Sequence, residues 1–416
     1  MSKSNIANID WLTILVFLIL VSFGWMNIFS ASFNDDAPSI LSLSEPYGKQ
    51  ALWIGLSFVM IIFIFFTEQK FFERFSSIIY IVSLFSLIGL FVFGKSISGA
   101  TSWYVLGPVS IQPSEFAKAA TSLALAKYVS DLQTDITNWK DQLYAFVIIL
   151  LPALIIVPQP DPGSALVYAA FLFPLYREGV TSLYFLIGFT AVTVFVLTLV
   201  LGPQAIIISL FLIGLIIILL SKNKKKLLAP ILGVFITIVL FSLSVNYVFN
   251  NVFEQRHRDR FNIVLGKEVD TNGIGYNTNQ SEIAIGSGGW LGKGWKQGTQ
   301  TKGGFVPEQH TDYIFSTVGE EWGFLGSILV ISFFIFLIIR ILILAERQKS
   351  QFNRVYGYSV AGVLFIHFLV NTGMVIGLLP TVGIPLPFFS YGGSGLWGFT
   401  LLLFIFIKLD SERMNS

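Results

Sequence analysis

Long apolar runs, separated by short polar segments, occupy most of the chain. Runs of this kind are long enough to cross the hydrocarbon core of a bilayer as helices. They are continuously apolar, which excludes the alternating pattern of a membrane β-barrel. We therefore predict an all-α polytopic membrane protein with about twelve transmembrane helices. The predicted spans are 11–33, 51–66, 76–94, one beginning at 112, 142–158, 164–177, 181–201, 204–220, 227–249, 313–344, 356–376 and 388–407.

Composition supports this class. Apolar residues make up 54% of the 416 residues and charged residues only 12%, whereas a soluble domain carries about a quarter charged residues. The net charge of +2 comes with basic residues that flank the spans, so we expect no nucleic-acid partner. The chain has no cysteine, which excludes disulfides and thiolate metal sites. No nucleotide-binding fingerprint is present.

Basic residues predict the orientation of the chain. With the amino terminus inside, the inside loops hold many more lysines and arginines than the short outside loops. The inside set is Lys70, Arg74, Arg177, the 222–226 lysine cluster, Arg340, Arg347, Lys349 and Arg354, against Lys49 and Lys95 outside. We predict that both termini are cytoplasmic and that the polar segment 250–310 is a large extracytoplasmic loop.

Three irregular segments interrupt the predicted helices near the outer face. Segment 95–111, with Trp103, is too short and too polar to span and is predicted to lie at the interface. Three prolines and a glycine break the chain at 158–163. Asp161 in this break is either the N-cap of the next helix, the favoured interpretation, or a cavity group. Segment 377–395 is predicted to be non-helical and beside a cavity.

Several ionisable groups stand where a charge is costly. Glu115 and Lys118 are three residues apart and share a helix face, although a charged helix end at the interface would look the same. Asp312 is either a carboxylate favoured by a helix dipole or a general base or cation ligand facing a cavity. Glu320 and Glu321, inside an apolar run, are predicted to face an interior cavity.

The predicted outer loop carries two further features. A basic cluster at 256–260, including Arg256 and Arg258, suits lipid phosphates or the anchoring of a helix end. The glycine-rich run 286–294 permits close backbone approach or forms a flexible linker. The interleaved Trp290 and Trp295 favour the first alternative.

Six motifs together resemble the SEDS family (shape, elongation, division and sporulation), and within it the RodA branch. They are QPSEFAK at 112–118, QPDPG at 159–163, QSEIAIGSGG at 280–289, GKGW with QGTQ at 292–300, PEQHTD at 307–312, and PLP with SYGGS at 385–394. The GKGW and QGTQ pair is similar to the elongation type rather than the division type.

The resemblance implies a single membrane domain over 1–416 that acts as a peptidoglycan glycosyltransferase polymerising lipid II, at the outer face of the bacterial inner membrane. It implies a class B penicillin-binding protein as partner and a divalent cation, Mg²⁺ or Mn²⁺. It assigns catalysis to Asp312 and implicates Glu115 and Lys118, which with Arg256, Arg258, Ser390 and Gly392 we predict to contact substrate. Asp312 and Glu115 are the predicted cation ligands, and Asp161, Trp103 and Glu320 are predicted to be structural or cavity residues.

The chain departs from the family pattern at two points. The family typically has ten spans, so the surplus pair is either 204–220 with 227–249 or 181–201 with 204–220. Pro162 stands where the family usually has leucine, which puts the backbone near Asp161 in question. The rival functions are a lipid II flippase, since transporters also have broken helices and buried acids, a division-type paralogue, and a non-catalytic scaffold.

Overall fold

The structure is a computed structural model that describes residues 8–33, 39–97, 99–107, 109–222, 224–253, 255–267 and 275–413. The described chain is mostly helical. Its helices are α1 Trp11–Ala31, α2 Pro46–Phe66, α3 Gln69–Phe93, α4 Pro113–Val129, α5 Trp139–Ile156, α6 Pro162–Leu166, α7 Leu172–Arg177, α8 Leu183–Leu201, α9 Pro203–Leu220, α10 Lys224–Asn251, α11 Gln255–Val264, α12 Tyr276–Gly288, α13 Thr299–Lys302, α14 Ile314–Glu346, α15 Gln351–Val375 and α16 Gly393–Ser411. Three strands, β1 Lys95–Ile97, β2 Ala100–Leu106 and β3 Val109–Ile111, and the 3₁₀ helix Val167–Phe171 complete the set.

Ten of the described helices are long and apolar enough to cross a membrane, which confirms the polytopic class. Two predicted spans are not among them. Helix α4 has only 17 residues, and the predicted span 164–177 is divided into α6, the 3₁₀ helix and α7. The count of twelve and the orientation stay predictions.

The residues fall into two compact units, and each is described by itself. The first comprises the described residues up to Val180 and from Tyr276 onward, and the second runs from Thr181 to Gly275. The prediction of a single membrane domain stays a prediction.

Helix α4 lies in the interior of the first unit. Fourteen of its residues are buried, and α15 and α16, which pack against it, are also mostly buried. Alanines recur along α4 and let neighbouring helices approach closely, as small residues do in membrane bundles. Its hydroxyl groups bond backward, Thr121 to the carbonyl of Ala117 and Ser122 to that of Lys118, both at 2.8 Å. A helix with this many polar groups is therefore enclosed by protein.

Ion pairs join the helix ends that lie opposite Asp312 in the first unit. Asp10 caps α1, accepting from the backbone N–H of Thr13 at 3.0 Å, and pairs with Arg340 near the far end of α14. Burial by itself would raise the pKa of Asp10, but hydrogen bonds from Arg340 and Thr13 outweigh it and hold the pKa below its usual value. The pairs at this end are Asp10–Arg340, Glu178–Arg354, Glu346–Arg177, Asp410–Arg347 and Glu412–Lys408.

Segment 95–111, predicted to be an interface loop or re-entrant piece, instead forms an antiparallel sheet in the order β1-β2-β3. The sheet is tied to its surroundings through β2. The Thr101 N–H donates to the Gln159 carbonyl at 3.1 Å, and the Tyr104 hydroxyl donates to the Ser86 carbonyl in α3 at 2.8 Å. Strand pairing satisfies the backbone groups that a loop at membrane level would leave exposed.

The 33-residue helix α14 is kinked at Gly323, whose backbone is left-handed with φ 64°. The glycine-rich segment packs into this kink and satisfies the backbone groups that the kink frees. The N–H groups of Lys293 and Gly294 donate to the carbonyls of Glu320 and Glu321 at 3.0 Å, and Phe324 N–H donates to the Gly289 carbonyl at 2.9 Å. The linker alternative for 286–294 is therefore wrong, because its first residues end α12 and the rest is docked.

In the second unit, α8, α9 and α10 expose most of their apolar side chains, as helices facing lipid do. A small core of Leu199, Val245 and Phe249 packs against surrounding aromatic residues, and a buried hydroxyl pair, Thr198 with Ser242, lies at 2.9 Å. The segment 250–310 is polar as predicted, but it contains α11, α12 and α13 rather than loop alone.

Candidate functional site

Asp312 lies in the turn that leads into α14, and its side chain is half-buried. The Thr311 hydroxyl has three acceptors within reach, the Glu308 carbonyl at 2.9 Å, Asp312 Oδ1 at 3.1 Å and Glu308 Oε2 at 3.2 Å. Its single proton donates to one of them at a time, and the two carboxylates lie close together around it. Gly383, from the irregular segment 377–395, has φ 71°, and a Cβ there would lie 3.8 Å from Asp312 Oδ2. The predicted catalytic carboxylate therefore faces this segment across a short gap.

His310 and Tyr391 extend the same region. Their rings lie 5.3 Å apart, and the Tyr391 N–H donates to the His310 carbonyl at 2.9 Å. Burial lowers the pKa of His310, an effect that the charge of Glu308 only partly opposes. The imidazole is therefore held in its neutral form near pH 7.

Asn371 holds the two sides of this region together. It is fully buried in α15, and its Nδ2 donates to the carbonyls of Asp312 at 2.7 Å and Ile384 at 2.8 Å. One side-chain amide thus fixes the backbone of the Asp312 turn against segment 377–395. The Asn371 Oδ1 is buried and has no hydrogen-bond partner among the described residues.

Lys118 is the centre of a buried polar cluster. Its Nζ lies 2.7 Å from Glu115 Oε1 and 2.9 Å from His367 Nε2, and it lies over the Phe399 ring at 5.0 Å from the centroid. An ammonium has only donors, so Nε2 accepts and Nδ1 carries the proton. His367 Nδ1 then donates to the Pro385 carbonyl at 3.2 Å.

The Asp312 turn and the Lys118 cluster meet at one face of α15. His367 and Asn371 are four residues apart, hence on the same side of the helix, and they bond to adjacent carbonyls, those of Pro385 and Ile384. The prediction that Glu115 and Lys118 pair is confirmed. Both side chains are buried, so their predicted contact with substrate stays a prediction.

The sequence analysis does not identify His367 as a site residue. The signal that could have found it is its spacing of four from Asn371 on a helix that leads into the irregular segment. Its partner Lys118 is 249 positions away, so the sequence gives no local sign of the contact.

Asp161 is the N-cap of α6, which confirms the favoured interpretation. Its Oδ1 accepts from the Ser164 N–H at 3.0 Å and its Oδ2 from the Ser164 hydroxyl at 2.8 Å. Gln112, just before α4, donates to Oδ2 at 2.9 Å. Pro162 occupies the first helical position, where its fixed φ and missing N–H are tolerated. Pro162 therefore fits the helix start, whereas the backbone just before it is irregular, with φ 25° at Pro160 and φ −120°, ψ 67° at Asp161.

Three other predicted residues have local roles. The Ser390 hydroxyl accepts from the Leu386 N–H at 2.8 Å and closes a turn, and the Gly392 N–H donates to Gln50 at 3.1 Å just before α16. Trp103 lies half-buried in β2, opposite Lys95. The predicted substrate contacts of Ser390 and Gly392 stay predictions.

Glu320 has a structural role, one of the two roles predicted for it. Its carboxylate is fully buried and accepts from Lys293 Nζ, from the N–H groups of Gln300 and Thr301 at 2.8 Å, and from the Thr301 hydroxyl at 2.7 Å. A carboxylate with this many donors is stabilised by them. Glu320 organises segment 293–301 against the kink in α14.

The two predicted arginines lie in the second unit. The Arg256 side chain is outside the part of the chain that the structure describes. The Arg258 Nη1 donates to the Asn250 carbonyl at 3.0 Å, and its predicted contact with substrate stays a prediction.

No group of three or more His, Cys, Asp or Glu side chains is placed to hold a metal ion in the described part of the chain. The best donor set is Asp312 with Glu308, which share Thr311. Magnesium is often held by one or two carboxylates together with substrate phosphates and water, so this pair fits such an ion. Glu115 fits less well, because its Oε1 is already bonded to Lys118.

Comparison with known proteins connects this geometry to a family. The sequence pattern of the FtsW/RodA/SpoVE cell cycle proteins matches residues 10–206 and 177–415. The two matches overlap at 177–206, in the region where we predict a surplus helix pair.

Two curated relatives match nearly the whole chain. The chain is 33% identical over 392 residues to the peptidoglycan glycosyltransferase MrdB of Escherichia coli, covering 94% of this chain and 90% of the relative. It is 31% identical over 443 residues to the peptidoglycan glycosyltransferase RodA of Treponema pallidum, with 99% of each chain covered.

A solved structure shares the fold. It comes from work on the coordination of polymerization and crosslinking by a peptidoglycan synthase complex. The TM-score is 0.69 at 25% identity, with 98% of this chain and 99% of the solved chain covered.

Proposed function

The chain belongs to the FtsW/RodA/SpoVE family of cell cycle proteins, and we propose that it is a peptidoglycan glycosyltransferase that polymerises lipid II during cell elongation. Relatives named for this transferase activity match the chain over nearly its full length. The observation that carries the assignment of the site is the Asn371 clamp, which fixes the half-buried Asp312 turn against segment 377–395.

In the proposed reaction, Asp312 takes the proton from the sugar hydroxyl of the acceptor. The hydroxyl oxygen then bonds to the anomeric carbon of the donor while the bond from that carbon to the diphosphate breaks, and the diphosphate-lipid leaves with the electron pair. The Asn371 clamp positions Asp312 through its backbone. The Thr311 hydroxyl lies 3.1 Å from Asp312 Oδ1.

The buried Lys118 cluster supports the Asp312 site indirectly, through segment 377–395. Lys118, balanced by Glu115, holds His367, and His367 bonds to the segment that faces Asp312. We therefore assign Lys118 and His367 as positioning residues of segment 377–395. Direct contact between Lys118 and the diphosphate would need this segment to move.

A divalent cation beside Asp312 and Glu308 would supply positive charge opposite the departing diphosphate.

We also propose a crosslinking partner, a class B penicillin-binding protein, because the similar solved chain belongs to a complex that couples polymerization to crosslinking. The proposed location is the bacterial inner membrane, with the Asp312 turn at its outer face.

The ion pairs at the opposite end of the first unit favour a polymerase over a flippase. A flippase needs a polar path through both leaflets. Here the charged groups that lie farthest from Asp312 are engaged with one another across helix ends, as in Asp10–Arg340 and Glu178–Arg354. Near the Asp312 end, by contrast, Glu115 Oε2 and Asn371 Oδ1 are buried without a hydrogen-bond partner among the described residues.

The test is Asp312→Asn in purified full-length protein with lipid II in detergent, where a flippase has no sidedness to act on. Loss of a general base costs about 10²–10⁴-fold in rate, so we expect glycan-strand yield to fall by at least about 100-fold. The matched control is Asp131→Asn, at an exposed turn beyond α4. Normal strand yield from Asp312→Asn would overturn the assignment.

A further inference from the structure

A polar cavity lies at one end of the second unit. Its volume is about 360 Å³, and it is formed where the end of α8 and the end of α10 meet α11. The lining is mainly cationic and amide side chains, with two apolar residues at its base. The residues are Thr198, Leu199, Gly202, Asn246, Phe249, Asn250, Gln255, Arg258, Asn262 and Lys267. We call this the Arg258 cavity.

Among the residues that the structure describes, the lining of the Arg258 cavity includes two cations and no carboxylate. The described partners of these cations are neutral: Arg258 donates to the Asn250 carbonyl at 3.0 Å and Lys267 to the Leu199 carbonyl. The Arg258 Nε is buried and has no hydrogen-bond partner among the described residues. Arg258 and Lys267 together give the cavity the positive charge that an anion requires.

The position of the cavity relative to the predicted bilayer surfaces indicates which kind of anion it binds. Helix α10 begins at Lys224 and reaches the cavity at Asn246 and Asn250. From Lys226 to Asn250 a helix rises about 36 Å at 1.5 Å per residue, slightly more than the roughly 30 Å hydrocarbon core. With the lysine cluster at one membrane surface, the cavity lies at the level of lipid phosphates at the other surface.

We propose that the Arg258 cavity binds the phosphate group of a lipid. The planar guanidinium suits two phosphoryl oxygens at once, and Lys267 adds a point charge. The proposal stands apart from the assignment of Asp312, since it uses only residues of the second unit. Two lipids carry this group: an anionic phospholipid of the bilayer and the polyprenyl diphosphate portion of a lipid-linked sugar.

The experiment measures binding of two probes, phosphatidylglycerol and undecaprenyl diphosphate, to the full-length protein in a neutral detergent. Native mass spectrometry gives the bound fraction, and the melting temperature without lipid reports folding. The variants are Arg258→Gln and Lys267→Gln. The matched control is Lys225→Gln, an exposed lysine at the other end of α10.

We expect each cavity variant to weaken binding of at least one probe by about 10-fold or more, because hydrogen bonds to charged groups contribute about 1.5–3 kcal/mol. The control binds like the wild type. If the variants weaken only phosphatidylglycerol binding, the ligand is a bilayer lipid. If they weaken only undecaprenyl diphosphate binding, the ligand is the lipid-linked sugar. Affinities equal to wild type for both variants and both probes would overturn the proposal.

Arg258→Lys provides a second measurement if Arg258→Gln fails to fold. It keeps the charge but lacks the planar fork, so binding should fall by less than with glutamine and should weaken further as salt is raised. Binding that is insensitive to both salt and this change would contradict a phosphate site. Probe binding is measured without any turnover of lipid II, so a failure of the Asp312 assignment leaves its result unchanged, which separates this proposal from the proposed catalytic function.

Discussion

At the scale of single residues, the Lys118 cluster shows how an ammonium is kept inside a membrane bundle. Removing a charge from water is expensive unless it is paired and hydrogen-bonded. Glu115 supplies the opposite charge, and His367 supplies an acceptor that is itself fixed by the Pro385 carbonyl. The second oxygen of Glu115 has no hydrogen-bond partner among the described residues, so the balance of the cluster depends on these few bonds.

His367→Leu and His367→Gln test this role. Leucine removes the acceptor and leaves a buried N–H of Lys118 unsatisfied, which costs about 1–3 kcal/mol, whereas the glutamine amide oxygen can replace Nε2. We expect leucine to lower the melting temperature and the kcat for strand synthesis, and glutamine to restore most of both. If leucine and glutamine gave the same kcat at equal melting temperature, His367 would not be a positioning residue.

The same cluster marks how far residue-level prediction extends. The Glu115–Lys118 pair follows from a spacing of three on one helix, and Asp161 as an N-cap follows from its place before a helix start. Both depend only on local geometry, and both are confirmed. His367 is brought to Lys118 by the packing of α15 on α4, and Glu320 is saturated by a segment some twenty residues earlier. Neither contact has a local signature.

At the scale of elements, the kink in α14 explains the glycines of the preceding segment. A Cβ on Gly323 would lie 2.3 Å from the Gly292 nitrogen, and one on Gly292 would lie 2.2 Å from the Glu321 carbonyl oxygen. The two backbones touch directly, which only glycine permits. The hydrophobic pattern predicts one uninterrupted helix here that is longer than a bilayer requires. It does not reveal the kink, because the glycine-rich segment satisfies the freed backbone groups and the apolar run continues through Gly323.

Gly323→Ala should therefore destabilise the protein. Gly323 has φ 64° and ψ −158°, a conformation that essentially only glycine adopts and that costs other residues about 1–3 kcal/mol, and the contact with the Gly292 backbone adds to that. Gly286→Ala is the matched control, since it lies exposed near the end of α12 with open space around its Cα and should be neutral or stabilising by up to about 1 kcal/mol. Melting temperatures in detergent measure both, and equal values for the two variants would contradict the account of the kink.

At the scale of the whole molecule, the apolar runs predict the class correctly but not the number of crossings. A hydropathy pattern identifies lipid-facing helices well, because such a helix must be apolar around its whole circumference. Helix α4 is enclosed by protein and carries alanines, hydroxyls and an ion pair instead, so its sequence does not distinguish a buried span from a helix that stops within the bundle. Because of the proline-rich break at 158–163, the sequence likewise does not show whether α6, the 3₁₀ helix and α7 together cross the membrane.

The absence of cysteine from the sequence makes the crossings directly measurable, since each introduced cysteine is the only thiol. Leu132 is fully exposed between α4 and α5. Twelve spans place Leu132→Cys inside, so a membrane-impermeant maleimide should label it only after the cells are permeabilised. If α4 does not cross, labelling occurs in intact cells. Lys302→Cys and Lys225→Cys serve as the outside and inside references, and labelling of Lys225→Cys in intact cells would reverse the predicted orientation.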